Sequence, residues 1–215
     1  MARPTDRDIA TYFDEGVDCC APRRDASKRS GVALARLLRK HTRAAGIENA
    51  SVLELGCGRG ELSIELIDDG AASVTGIDLS PDAIEYARRS ATEDGLAERA
   101  RFTVGNAATL QLPHQDAVVH HRTICCYPDA REFLRNSLDV AERIYAFSMP
   151  RSRGVWGLIV RLALQFENLL HRLKRRKFRA YVHDERIVET ALSDAGFRLH
   201  GRSSRRGWFA AAYVK

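Results

Sequence analysis

The stretch VLELGCGRG at residues 52–60 constrains this chain more than any other feature. An apolar run carrying one acid breaks into glycines spaced G-x-G-x-G and continues into the amphipathic ELSIELID. A strand, a glycine turn and a helix in that order leave free backbone N–H groups at the helix N-terminus, and the glycines let a ligand approach the main chain closely. Dinucleotide folds space the same glycines G-x-G-x-x-G, so the pattern argues against NAD. One β-α-β unit later, GIDLS at 76–80 ends a second apolar run on Asp78, where a carboxylate can accept hydrogen bonds from two ribose hydroxyls.

Alternation continues around this pair. Strands are expected at 51–55, 73–77, 101–104, 117–121 and 143–149, and helices at 61–68, 81–94 and 130–140. Ser80 caps the second of these helices and Pro81 stands at its first position. A long helical insertion at 154–176, a helix at 184–194 and two closing strands at 198–203 and 208–214 complete the pattern, the strands forming a hairpin across Arg205, Arg206 and Gly207. The rhythm predicts one α/β domain with a mostly parallel, doubly wound seven-stranded sheet and an antiparallel C-terminal strand. We divide it into an N-terminal helical cap (1–49), a cofactor-binding core (50–149), a helical insertion (150–183) and a C-terminal helix and strands (184–215). A chain of 215 residues, 45% hydrophobic and 29% charged, suits that single core.

The motifs resemble those of class I S-adenosylmethionine-dependent methyltransferases, with ELGCGRG as the first and GIDLS as the second; the likeness covers roughly 50–149. It implies that Gly56, Cys57 and Gly58 contact the methionine part of the cofactor, Asp78 the ribose, and Leu79 the adenine. Glu54 would support the loop and the cofactor amine. Where that family often has Asp after the third strand, this chain has Asn106, followed by Ala107; the amide oxygen can accept the same bond from the adenine amino group.

Beyond the fourth strand, HHRTICCYPD at 120–129 lies where open α/β sheets place their ligand crevice. Methyl transfer needs an aligned nucleophile and, for some acceptors, a base. His121, Cys126 and Tyr127 are the candidates for that chemistry. From Ile124 onward the chain is similar to magnesium-protoporphyrin O-methyltransferases: CCYP at 125–128 stands against their I-H-Y-P, FSMP at 147–150 against S-F-x-P, and RAYVH at 179–183 against R-x-Y-x-H, while Tyr12-Phe13 matches their Y-F. Cys126 replaces the His of that family's motif. The resemblance implies an N-terminal lid and makes Tyr12 and His183 candidate pocket residues.

Five cysteines, as Cys19-Cys20, Cys57 and Cys125-Cys126, lack the spacing of a disulfide framework or a zinc site, so reduced thiols, a cytoplasmic location and no metal are expected. The N-terminal residues lack the apolar core of a secretory signal. Six of the eight residues at 172–179 are cations, enough to account for the net charge of +6. They adjoin a helical face of Trp156, Ile159, Val160, Ala163, Phe166, Leu170 and Leu173, which either covers the active site or lies on a membrane. Peripheral contact with anionic lipid through Arg172, Lys174, Arg175, Arg176 and Lys177 is therefore one expectation. Nucleic acid is less favoured, because Phe178 is the cluster's only stacking residue. The expected function is methylation of a small apolar or aromatic molecule, most readily at oxygen. An RNA methyltransferase or a non-catalytic cofactor-binding protein at a membrane are the alternatives.

Overall fold

The computed structural model describes residues 4–15 and 32–215; Cys19 and Cys20 lie outside them. Seven strands form one sheet in the order β3-β2-β1-β4-β5-β7-β6. They are β1 (Ser51–Leu55), β2 (Ser73–Asp78), β3 (Ala100–Val104), β4 (Gln115–His121), β5 (Ala141–Pro150), β6 (Arg198–Arg205) and β7 (Trp208–Val214). β1 to β5 run parallel, β7 pairs antiparallel to β5, and β6 pairs antiparallel to β7. The expected doubly wound sheet with its antiparallel C-terminal strand is therefore present.

The helices are α1 (Asp6–Asp14), α2 (Val32–Ala44), α3 (Glu61–Asp68), α4 (Pro81–Glu93), α5 (Ala130–Leu138), α6 (Gly154–Leu173) and α7 (Glu185–Asp194). Their starts follow from local chemistry. The Ser80 hydroxyl accepts from the Ala83 amide ahead of Pro81, and Asp129 and Asp184 cap α5 and α7 in the same way. Thr5 and Asp8 close a reciprocal capping box on α1, which holds the Asp8 carboxyl down at about 2.

Alternation along the strands feeds two apolar layers. One joins Val52, Val74, Val119 and Ala146 to α2, α3 and α4. The other joins Leu53, Val118, Tyr145 and Phe147 to α5 and α7. Each large side chain so buried contributes about 1.5–3 kcal/mol. β5 is buried on both faces, as a central strand between two helical layers must be. His120 sits in the second layer among Phe133, Tyr145 and Phe147 with neither ring nitrogen bonded, and burial drives its pKa down to about 3. α6 joins neither layer: only Gly157 and His171 of its 20 residues are buried.

Candidate functional site

The chain order reverses between β1 and β4, and ligands of open α/β sheets bind beyond the strand ends at such a switch point. Both loops at this seam are built for close approach. Gly56 has φ +71°, and a Cβ there would run into the Thr123 side chain. The Thr123 hydroxyl in turn donates to the Leu55 carbonyl at 2.9 Å, so the β4 loop is fastened to the end of β1. Gly58, at φ +53°, faces open space on the side where a Cβ would stand.

Asp78 organises the turn. Its Oδ2 accepts from the Gly58 amide at 2.8 Å and its Oδ1 from the Ser80 amide at 2.9 Å. Burial raises its pKa against those backbone bonds. Each oxygen retains a lone pair for a further donor. Glu54, 1% exposed, lies beneath the turn and accepts from the Ser63 hydroxyl of α3; burial lifts its carboxyl to about 8. It therefore supports the turn from below. Cys57 is buried, and burial pushes its thiol well up. Leu79 is half-buried at the sheet edge, and Ala107 is buried with its carbonyl taken by Asn136 Nδ2 at 2.7 Å.

α1 lies across this edge. Asn106 Nδ2 donates to Asp6 Oδ1 at 2.7 Å, and the Ser80 hydroxyl donates to Asp14 at the other end of the helix. Asn106 Oδ1 already accepts from the Ala108 amide at 2.8 Å, which leaves one lone pair. Tyr12 of α1 stacks on Phe178 at 4.1 Å between ring centroids and meets His171 of α6 at 5.1 Å. Two ion pairs complete the attachment, Arg176 to Glu15 at 2.9 Å and Lys177 to Asp8 at 3.1 Å. Sequence reasoning missed Asp6, Asp14, Ser80, Thr123 and Phe178 in these roles. Only the Ser80 cap was visible locally.

The residues expected to do chemistry separate in space. Cys126 is half-buried, within electrostatic reach of both Asp78 and Tyr12. A hydrogen bond with the Cys125 thiol, together with burial, raises its pKa, so it stays a neutral thiol. Tyr127 is buried against Phe133, and desolvation raises its phenol above the ordinary value. His121 points to the opposite face, which it shares with Val119, and its Nδ1 lies 2.8 Å from the Ser148 hydroxyl. Burial and Arg122 push its pKa down to about 4. The three candidates are thus divided, Cys126 and Tyr127 packing with the layer of Phe133 while Ser148 holds the His121 ring on the other side of β4. His183 is anchored at one edge of its ring. Its Nε2 donates to the carbonyls of Ile124 at 3.1 Å and Tyr127 at 2.9 Å, which clamps the turn after β4. The Tyr181 amide adds a bond to the Cys125 carbonyl at 2.8 Å.

Part of the basic segment is engaged within the fold. Arg176 and Lys177 pair with α1 while remaining at the surface, and Arg179 donates to the carbonyls of Arg176 and Phe178. Phe178, the one aromatic residue of the cluster, is 4% exposed and stacked on Tyr12.

Residues 52–143 match the family described as methyltransferase domain. Ribosomal protein L11 methyltransferase of Enterobacter sp. (strain 638) is 37% identical over 60 residues, 28% of this chain and 20% of that protein. The chain thus spans about a fifth of the length of the curated relatives it matches. Among solved structures, magnesium protoporphyrin IX methyltransferase from Synechocystis PCC 6803 with bound SAH superposes with a TM-score of 0.74 at 21% identity, over 98% of this chain and 100% of that one. Geranyl diphosphate C-methyltransferase from Streptomyces coelicolor A3(2), in complex with Mg2+, geranyl diphosphate and S-adenosyl-L-homocysteine, does so with a TM-score of 0.68 at 14% identity, over 100% and 98%.

Proposed function

We propose that this protein, whose residues 52–143 match the methyltransferase domain family and whose fold is that of solved methyltransferases, is an S-adenosylmethionine-dependent methyltransferase acting on a small apolar or aromatic molecule, with oxygen as the acceptor. The observation that carries the reading is the carboxylate of Asp78, held by the Gly58 and Ser80 amides beside a turn whose glycine backbone stands open. That combination suits a ribose diol next to a ligand pressed on main chain. Structural neighbours crystallised with SAM or with S-adenosyl-L-homocysteine support the choice of cofactor.

In this reading Gly56, Cys57 and Gly58 hold the methionine part, Asp78 the ribose, and Leu79 and Asn106 the adenine. The bound cofactor supplies a methyl group on a sulfonium, an electrophile that needs no further activation. The chain's own part is positioning: the 124–127 turn is pinned by His183 and Tyr181, and α1, tied to Asn106 and Ser80, would cover the edge of the site. Such alignment is worth orders of magnitude in rate by itself. None of the three candidates for proton removal is poised near neutrality. Cys126 and Tyr127 stay protonated, and His121 faces away. The acceptor favoured is thus an oxygen already acidic in solution, such as a carboxylate or an activated phenol or enol. An RNA acceptor is less supported, since Arg176, Lys177 and Phe178 have partners within the fold. A cytoplasmic location with peripheral membrane contact belongs to the same proposal.

The test is incubation with methyl-labelled S-adenosylmethionine and host extract, followed by separation into organic-soluble, polar, RNA and protein fractions. Label in an organic-soluble acid or phenol is the expected result. Label in RNA, or cofactor binding with no transfer to any fraction, would overturn it.

A further inference from the structure

Nine of the twelve large apolar side chains exposed among the described residues sit on α6. At 3.6 residues per turn, Val155, Leu158, Leu162, Phe166, Leu169 and Leu173 fall within an arc of about 80°, in a stripe about 27 Å long. Val155, Phe166 and Leu173 are 75%, 62% and 72% exposed. The inward side of the same helix is occupied: Gly157 packs on the Ser152 backbone, Asn168 exchanges two bonds with Ala180, and His171 meets Tyr12. The stripe therefore faces outward because the fold points it there. Of the apolar face expected from the sequence, the structure turns Val160 towards Gly207 and leaves Trp156, Ile159, Phe166, Leu170 and Leu173 exposed, either in this stripe or flanking it.

The charge around the stripe names its occupant. Arg161 and Arg172 run along one margin, Arg153 stands at the N-terminal end, and Lys174 and Arg175 stand at the C-terminal end, all exposed and without an ion pair among the described residues. Glu167 is the helix's one acid, on the far margin, 3.9 Å from His171. A second copy laid antiparallel would bring Arg153 against Lys174 and Arg175, and a parallel copy would set like on like. Residues 16–31 offer four cations and only Val17 as a large aliphatic side chain, a poor match for this face. No helix of the described residues is long and apolar enough to cross a membrane.

We propose that α6 docks this protein on an anionic lipid bilayer, lying in the interface with Leu158, Leu162, Phe166 and Leu169 at the headgroup–acyl boundary and Arg161, Arg172 and Lys174 on headgroup phosphates. An amphipathic helix with one apolar face and cationic margins binds in this way, by buried area plus attraction to anionic lipid. The proposal does not depend on the reaction, and its test reads no turnover.

The full chain is floated with vesicles of phosphatidylcholine alone and of equal parts phosphatidylcholine and phosphatidylglycerol. The expected result is at least about tenfold stronger binding to the anionic vesicles, weakening with salt, and roughly fivefold loss for each of Arg161→Ala and Arg172→Ala. The double variant Leu162→Glu, Phe166→Glu should lose the binding while keeping the wild-type circular dichroism, because both positions are exposed. Equal binding to the two vesicle types, or full binding by the double variant, overturns the proposal. So does a wild-type dimer that the double variant converts to a monomer without either form floating, which would make the face a contact between copies.

Discussion

Asp78 serves the protein before it serves any ligand, since its two oxygens fix the Gly58 and Ser80 amides. Removing the carboxylate in Asp78→Ala takes away both the ribose acceptor and the brace of the turn. A charge-assisted bond at a largely desolvated site is worth about 1–3 kcal/mol. Calorimetry with S-adenosylhomocysteine should therefore show Kd rising roughly 5- to 150-fold by that energy. An unchanged Kd would separate Asp78 from the cofactor. The left-handed turn at Gly56 and Gly58 and the strand-end position of Asp78 were readable in advance, because both are local properties. The orientation of His121 was less accessible. Its neighbour His120 has the same side chain, and only the strand register decides which of the two enters which layer.

At the scale of elements, the helix starts and strand spans were legible because caps and apolar alternation act within a few residues. Ser80-Pro81, Asp129 and Asp184 each announce their helix. What α1 does was not legible beyond the resemblance to a lid. Its placement rests on Asp6 with Asn106, Asp14 with Ser80, Glu15 with Arg176 and Asp8 with Lys177, pairs separated by 66 residues or more. No local pattern marks an exposed acid for a partner that distant. Likewise the Glu185–Arg202 pair, which ties α7 to β6, gave no signal in either segment. The α1 attachment makes a kinetic prediction. Exposed ion pairs are worth about 0.2–1 kcal/mol each and are screened by salt. Arg176→Ala with Lys177→Ala should speed cofactor release a few-fold and flatten its salt dependence, measured by stopped-flow fluorescence. A release rate identical to wild type at low salt would mean that α1 stays closed without these two pairs.

For the molecule as a whole, three buried ionisable groups shape stability against pH. Glu54 is raised from 4.5 to about 8 by burial, so the unfolded chain ionises it first. Between those values the unfolded state binds fewer protons than the folded one, and stability falls as pH rises from about 4.5 through 8. His120 and His121 are lowered from 6.5 to about 3 and about 4, so there the unfolded state binds more protons, and stability falls as pH drops below 6.5. The two trends oppose each other across the mildly acidic range, and the cofactor-free protein should be most stable there. Glu54→Gln removes the alkaline limb while keeping an acceptor for the Ser63 hydroxyl. Its thermal midpoint should therefore lie above wild type at pH 8, by the equivalent of at least about 1 kcal/mol, and the gap should close towards pH 5. A constant difference between the two proteins from pH 5 to 8 would show that Glu54 does not titrate in this range, and that the Ser63 bond holds its carboxylate ionised despite complete burial.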